Sequence, residues 1–140
     1  MNQNQEKTVF KVLEALEAVQ DLPRLDAVMG TVPGAAALSI PLAVLEKHVP
    51  VVMDAAYQSS ASGSRLTALL QDGKKFGCHT IEGLEMLFEQ GCAQCERWTQ
   101  LPAPRQEIAA ALLKARFEGD PEPPRNLVAE AAAAPWINIL

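Results

Sequence analysis

Aromatic residues make up only 5% of this 140-residue sequence, and it has three cysteines, Cys78, Cys92 and Cys95. An odd number of thiols, with no charged and then apolar leader, predicts a reduced intracellular setting without disulfides. Positive charge is also scarce: 12 Lys and Arg stand against 17 Asp and Glu, a net charge of -5. Tight nucleic-acid binding by this chain alone is thereby excluded, because neutralising phosphates requires a basic face. The apolar run over 35–45 is broken by Ser39 and Pro41, far short of the roughly 20 residues a bilayer needs. Finally, there is no G-x-G-x-x-G turn of the kind that opens a dinucleotide-binding domain.

Hydrophobic residues at 49% and charged residues at 21% suffice for one folded unit. Over 8–20, Val9, Val12, Leu13, Leu16 and Val19 recur at helical spacing, predicting an amphipathic helix that ends near Pro23. Residues 25–31 form a short apolar run stopped by Val32-Pro33-Gly34, the pattern of a buried strand opening into a turn. A short helix with Pro41 in its first turn follows over 40–45. The run 50–57 is apolar except for Asp54, as expected of a strand covered on both faces.

Small polar residues over 58–64 read as a loop, and a helix begins at Leu66 and is capped by Gly77. Residues 78–81 suggest a third strand. Leu84, Leu87 and Phe88 then fall on one helical stripe, with a break at Gly91 before a segment over 92–98. An alanine-rich helix spans 108–117, 120–124 reads as a linker and 131–134 as a low-complexity tail.

This alternation predicts an α/β fold with a parallel three-stranded sheet and flanking helices. Three parallel strands alone leave an open edge, so further strands are expected ahead of residue 20.

Four blocks, in order, carry a specific resemblance. They are Leu25-Asp26-Ala27-Val28-Met29-Gly30-Thr31-Val32-Pro33-Gly34; Val51-Val52-Met53-Asp54-Ala55-Ala56-Tyr57; Thr67-Ala68-Leu69-Leu70 through Gly77-Cys78; and Gly83-x-x-Met86-Leu87-x-x-Gln90-Gly91 followed by Trp98-Thr99 and Pro102-Ala103-Pro104. Together they resemble the C-terminal part of the shikimate/quinate dehydrogenase family, including the related quinate-pathway repressors. The resemblance implies a partial Rossmann-like domain whose first half is absent. It further implies that Tyr57 and Gln90 contact hydroxyl or carboxylate oxygens of a shikimate- or quinate-like ligand, a task suited to a phenol and an amide. By the same resemblance, Thr31, Gly83 and Met86 lie beside the nicotinamide arm of NADP. Read without it, Tyr57 caps a strand, Gln90 faces solvent and Met86 fills a core gap.

The departures matter as much. The family's lysine and aspartate pair belongs to an N-terminal substrate domain, and Lys7, Lys11, Asp21 and Asp26 match no such motif, so no general acid or base is assigned. Ser59 stands where a proline is usual, the loop between Tyr57 and Thr67 is longer than usual, Cys95 replaces an aromatic and Gln100 a glycine. A zinc reading of Cys92-Ala93-Gln94-Cys95 with Cys78-His79 competes with plain core packing. His48 is expected at the surface, and Ser62-Gly63-Ser64 lacks the nucleophile-elbow pattern.

The expected organisation is residues 1–118 as the C-terminal half of an NADP-binding domain and 119–140 as a Pro/Ala-rich tail. The implied function is that of a shikimate dehydrogenase fragment, inactive without its missing N-terminal domain or parent chain and cytoplasmic. The alternative is the metabolite-sensing region of a repressor, nuclear in that case. A truncated product that self-associates through its open sheet edge is a third expectation.

Overall fold

The computed structural model describes residues 12–33, 36–56, 65–120 and 123–133. After a 3-10 turn at Leu16–Asp21, the order is β1 (Ala27–Gly30), α1 (Leu42–His48), β2 (Val51–Asp54), α2 (Ala68–Lys75), β3 (Thr80–Glu82), α3 (Gly83–Thr99), α4 (Arg105–Arg116) and α5 (Arg125–Ala132). The strands form one parallel sheet in the order β1-β2-β3, as the alternating pattern predicts.

Side chains alternate across a strand, and the register therefore sorts this sheet into two unlike faces. Val28 is aligned with Val52 and Thr80, and these face α1 and α2 in a core built from Val44, Leu45, Val52, Leu69 and Leu70. On the opposite face Met29 is aligned with Met53 and Ile81. Here the sequence reading needs correction: β1 is not buried, since Met29 is 66% exposed, and β2 is covered on one face only, with Val51 at 37%. β1 is an edge strand, with no strand paired beyond it among the described residues.

A second apolar cluster joins Leu84, Phe88 and Cys92 of α3 to Ala103, Ala109 of α4, Phe117 and Leu127 of α5. α3 is one uninterrupted helix through Gly91, contrary to the expected break. A glycine inside a helix weakens it by only about 1 kcal/mol, and burial of Phe88 and Cys92 on either side offsets that. Leu87, placed on the buried stripe from sequence, is 43% exposed. Nor is the alanine-rich stretch near 131 all tail: α5 packs on α4 and buries Leu127 completely.

The N-terminal amphipathic helix is also not realised over 12–20, where only the 3-10 turn forms with none of its residues buried and Val12 is 91% exposed. Helical periodicity stabilises little without a surface to bury it against. The start of that prediction, at 8–11, lies outside the described residues. α1 begins after Pro41 rather than containing it. Gly77 does end α2 in the left-handed region, at φ 75°. His48 is half-buried rather than exposed, with Nε2 lacking a hydrogen-bond partner among the described residues.

Candidate functional site

Parallel α/β sheets bind ligands beyond the carboxyl ends of their strands. Here those ends are in register: Gly30 is level with Asp54, and Asp54 with Glu82. The next residues, Thr31, Ala55 and Gly83, therefore follow each strand end side by side. The Ala55 N–H donates to the Gly30 carbonyl at 2.8 Å, carrying the pairing of β1 and β2 to the end of the row.

Asp54, the one polar residue in its strand, is 3% exposed. Its Oδ2 accepts the Thr67 hydroxyl at 2.7 Å and its Oδ1 the Ala56 N–H at 3.1 Å. Thr67 in turn caps α2 by accepting the Leu70 N–H at 3.5 Å. The buried carboxylate thus ties the end of β2 to the start of α2, and a side chain on Gly30 would strike it at 2.8 Å.

α3 leaves β3 without a connecting loop. Gly83 is buried, and a Cβ there would lie 2.5 Å from the Ala55 carbonyl oxygen, so only glycine lets the helix start against the end of β2. Gly83, Met86 and Gln90 recur at spacings of three and four, which places them on one face of α3. Met86 is half-buried and Gln90 exposed, about 10 Å from Gly83 along the helix axis at 1.5 Å per residue. Thr31, exposed, stands across Ala55 from Gly83. Four of the five residues singled out from sequence are thus brought to one end of the sheet or one face of the helix it feeds. Tyr57 lies outside the described residues, as does the 58–64 loop.

The first turn of α3 is occupied by its own carboxylates. Glu82 and Glu85 form a reciprocal capping box, with the Glu82 N–H donating to Glu85 Oε2 at 2.9 Å. Asn126 Nδ2 donates to the other Glu85 oxygen at 2.8 Å. Negative charge already sits at the positive end of this helix dipole, which leaves no place there for a phosphate.

Sequence reading missed the largest charge cluster near the site. Arg65 donates from Nη2 to Glu82 Oε1 at 2.9 Å and from Nη1 to Asp120 Oδ2, and its guanidinium carbon is 5.2 Å from the centre of the Phe117 ring. Nε also lies 2.8 Å from Glu82 Oε2, close enough for an ion pair but without hydrogen-bond alignment. Burial opposes the Arg65 charge, but the carboxylates outweigh it and hold the guanidinium above its ordinary value. Burial pushes the Glu82 carboxyl up, and Arg65 pulls it back only in part. The available signal was the Glu-x-x-Glu spacing at the strand end. Nothing local marks Arg65, whose partners are 17 and 55 residues away.

The cysteines do not assemble. Cys78 belongs to the sheet core and Cys92 to the helical core, with Cys95 packed against the latter. Burial raises the pKa of both Cys78 and Cys92, holding them as thiols. Among the described residues no three His, Cys, Asp or Glu side chains converge on a metal position. No described helix is long and apolar enough to cross a membrane.

Residues 83–113 match the Shikimate 5'-dehydrogenase C-terminal domain. The chain is 38% identical over 66 residues to a pentafunctional AROM polypeptide of Saccharomyces cerevisiae, 47% of this chain and 4% of that protein. It is also 38% identical over 60 residues to the chloroplastic bifunctional 3-dehydroquinate dehydratase/shikimate dehydrogenase of Arabidopsis thaliana, 43% of this chain and 9% of that one. The fold superposes on Mycobacterium tuberculosis shikimate dehydrogenase with a TM-score of 0.54 and 31% identity, over 71% of this chain and 35% of that enzyme. The chain thus spans less than a tenth of these two multifunctional relatives and about a third of the solved enzyme. The motif order, the partial Rossmann-like sheet and these similarities agree: the chain carries a C-terminal region of the shikimate dehydrogenase type.

Proposed function

We propose that this chain forms the cofactor-side part of an NADP-dependent protein that interconverts 3-dehydroshikimate and shikimate. The observation that carries the reading is the placement of Thr31 and Gly83 side by side past the strand ends, with Met86 and Gln90 continuing the Gly83 face of α3. The residues suit one part of the cofactor and not another. The half-buried Met86 thioether offers an apolar edge for a nicotinamide ring and Gly83 fixes where α3 begins beside it, while the self-capped start of α3 and the absent glycine turn leave the pyrophosphate to be held elsewhere. When bound, the cofactor supplies or accepts the hydride. Met86 and Gly83 would orient the ring, the exposed Thr31 hydroxyl would be available to hydrogen-bond it, and Gln90 with Tyr57 would hold ligand hydroxyl or carboxylate oxygens.

No general acid or base toward such a ligand is assigned among the described residues. The missing N-terminal domain or parent chain would supply that pair, within a dehydrogenase-like region running to residue 118. The test is a turnover assay of the purified 140-residue chain with shikimate and NADP+ beside calorimetry with each ligand. No turnover and only weak NADP+ binding are expected of the chain alone, and turnover by it overturns the claim that the proton-transfer pair lies outside it. The altered loop from Ser59 to Ser64, which lies outside the described residues, favours a second reading, a metabolite sensor of the quinate-pathway repressor type. A full-length parent that binds quinate or shikimate without turnover supports it, and turnover by that parent removes it.

A further inference from the structure

We infer that Arg65 is a positioning residue, one that sets the first turn of α3 against the end of β2 by joining the two apolar cores of the molecule. Its backbone belongs to the sheet unit. Two residues on, Thr67 is fixed to the buried Asp54 carboxylate at 2.7 Å, and the Leu66 carbonyl accepts from Gln71 Nε2 at 2.8 Å. Its side chain belongs to the helical unit. The guanidinium lies over Phe117, a member of the helical core, pairs with Asp120 beyond the end of α4, and grips Glu82, the residue that caps α3. The side chains of Arg65, Glu82 and Asp120 are 16%, 11% and 24% exposed, so this junction is largely shielded from water and its pairing little screened.

Only arginine fits this place. Two carboxylates from different segments require a planar fork, and the ring beneath requires a flat cation; a lysine ammonium meets one carboxylate as a point charge. Because Glu82 immediately precedes Gly83 and Met86 follows one turn later, a shift at Glu82 moves both. Their link to a nicotinamide rests on the function proposed above, but the positioning does not, and the experiment separates the two.

Amide hydrogen exchange on the full chain compares wild type with Arg65→Met, Arg65→Lys and the double variant Arg65→Met/Glu82→Gln. In R65M, protection of the amides over 87–92 is expected to fall about tenfold or more while Val52, Leu69 and Leu70 stay within about twofold of wild type. R65K should recover only part. The double variant removes the buried unpaired carboxylate, so its melting temperature should return toward that of wild type while the start of α3 stays unprotected. If the double variant restores α3 protection along with melting temperature, Arg65 merely neutralises Glu82 and the inference fails. Uniform loss of protection across both cores in the double variant overturns it as well. A parallel NADP+ titration reads the other question: absence of binding by wild type counts against the proposed cofactor site and leaves the exchange result standing.

Discussion

The sheet unit and the helical unit are about equally well buried but are specified differently. The first is held by aliphatic side chains from α1, β2 and α2 around one internal polar pair, Asp54 and Thr67. The second combines an apolar centre that includes Phe88 and Phe117 with charge at its surface. Arg105 donates to Glu89 at 2.7 Å and to Glu130 at 2.7 Å while its guanidinium carbon lies 4.8 Å from the centre of the Phe88 ring, joining α3, α4 and α5. Hydrogen bonds donated to Glu89 and Glu130 hold Arg105 well above its ordinary value, and accepting from Arg105 lowers the Glu130 pKa. Apolar burial sets how strongly a unit holds; polar pairing sets how its elements are aligned. The contrast teaches where each unit is vulnerable.

The largest effects should come from the cores. Leu69→Ala and Leu127→Ala both empty sites that are fully buried, and each should cost about 2–5 kcal/mol by chemical denaturation. Loss from Leu69→Ala should reach the whole sheet, whereas Leu127→Ala should release α5 and α4 first. Equal, global destabilisation by both would show that the two cores unfold as one. Next comes Gly83→Ala, whose new methyl would meet the Ala55 carbonyl oxygen at 2.5 Å. About 1–3 kcal/mol of overpacking strain is expected, against a small gain in helix propensity, and an alanine variant as stable as wild type would contradict the close approach of α3 to β2. Thr67→Val leaves Asp54 buried without its hydroxyl donor and should cost about 1–3 kcal/mol; a neutral outcome would remove the polar pair from the account of the sheet unit.

A smaller effect separates the units by pH. Glu130 is depressed from its ordinary 4.5, so the stability it contributes is present above 4.5 and is lost as pH falls through its lower folded value. Glu82 is raised from the same ordinary 4.5, so its contribution has the opposite sign: fully present below 4.5 and lost as pH rises through the folded value. Acid titration followed by circular dichroism should therefore show Glu130→Gln flattening the loss of stability below 4.5, and an unchanged acid limb would show that the Arg105 pairing is no part of it. Least of all should come from Arg24→Ala. Its pair with Asp26 at 2.7 Å joins side chains 80% and 69% exposed, and the change should stay within about 0.5 kcal/mol.

Much of the sheet unit was legible in residue order. Short apolar runs separated by turn signals located all three strands and their parallel arrangement, and Gly77 marked the end of α2, because these features depend on neighbours in the chain. Periodicity failed where its partner surface decided the outcome. The spacing over 12–20 is as helical as that over 84–98, yet only the latter has Phe117 and Leu127 to pack against. Gly91 is a breaker by composition and an ordinary helical position in α3, since nothing lies within 4 Å of where its side chain would be.

The site shows the same division. By itself the sequence determined the kind of region this is, because the spacing from Gly83 to Gly91 and the order of the four blocks are properties of the chain read in one dimension. It also determined that Gly83, Met86 and Gln90 share a face, which follows once the segment is a helix. Only the tertiary structure decided that Thr31 and Gly83 stand beside Ala55, that Gly83 is required by the Ala55 carbonyl, and that Arg65 closes over Glu82 and Asp120. Those contacts bring together residues far apart along the chain, and no local preference encodes a partner that arrives only when the two cores meet.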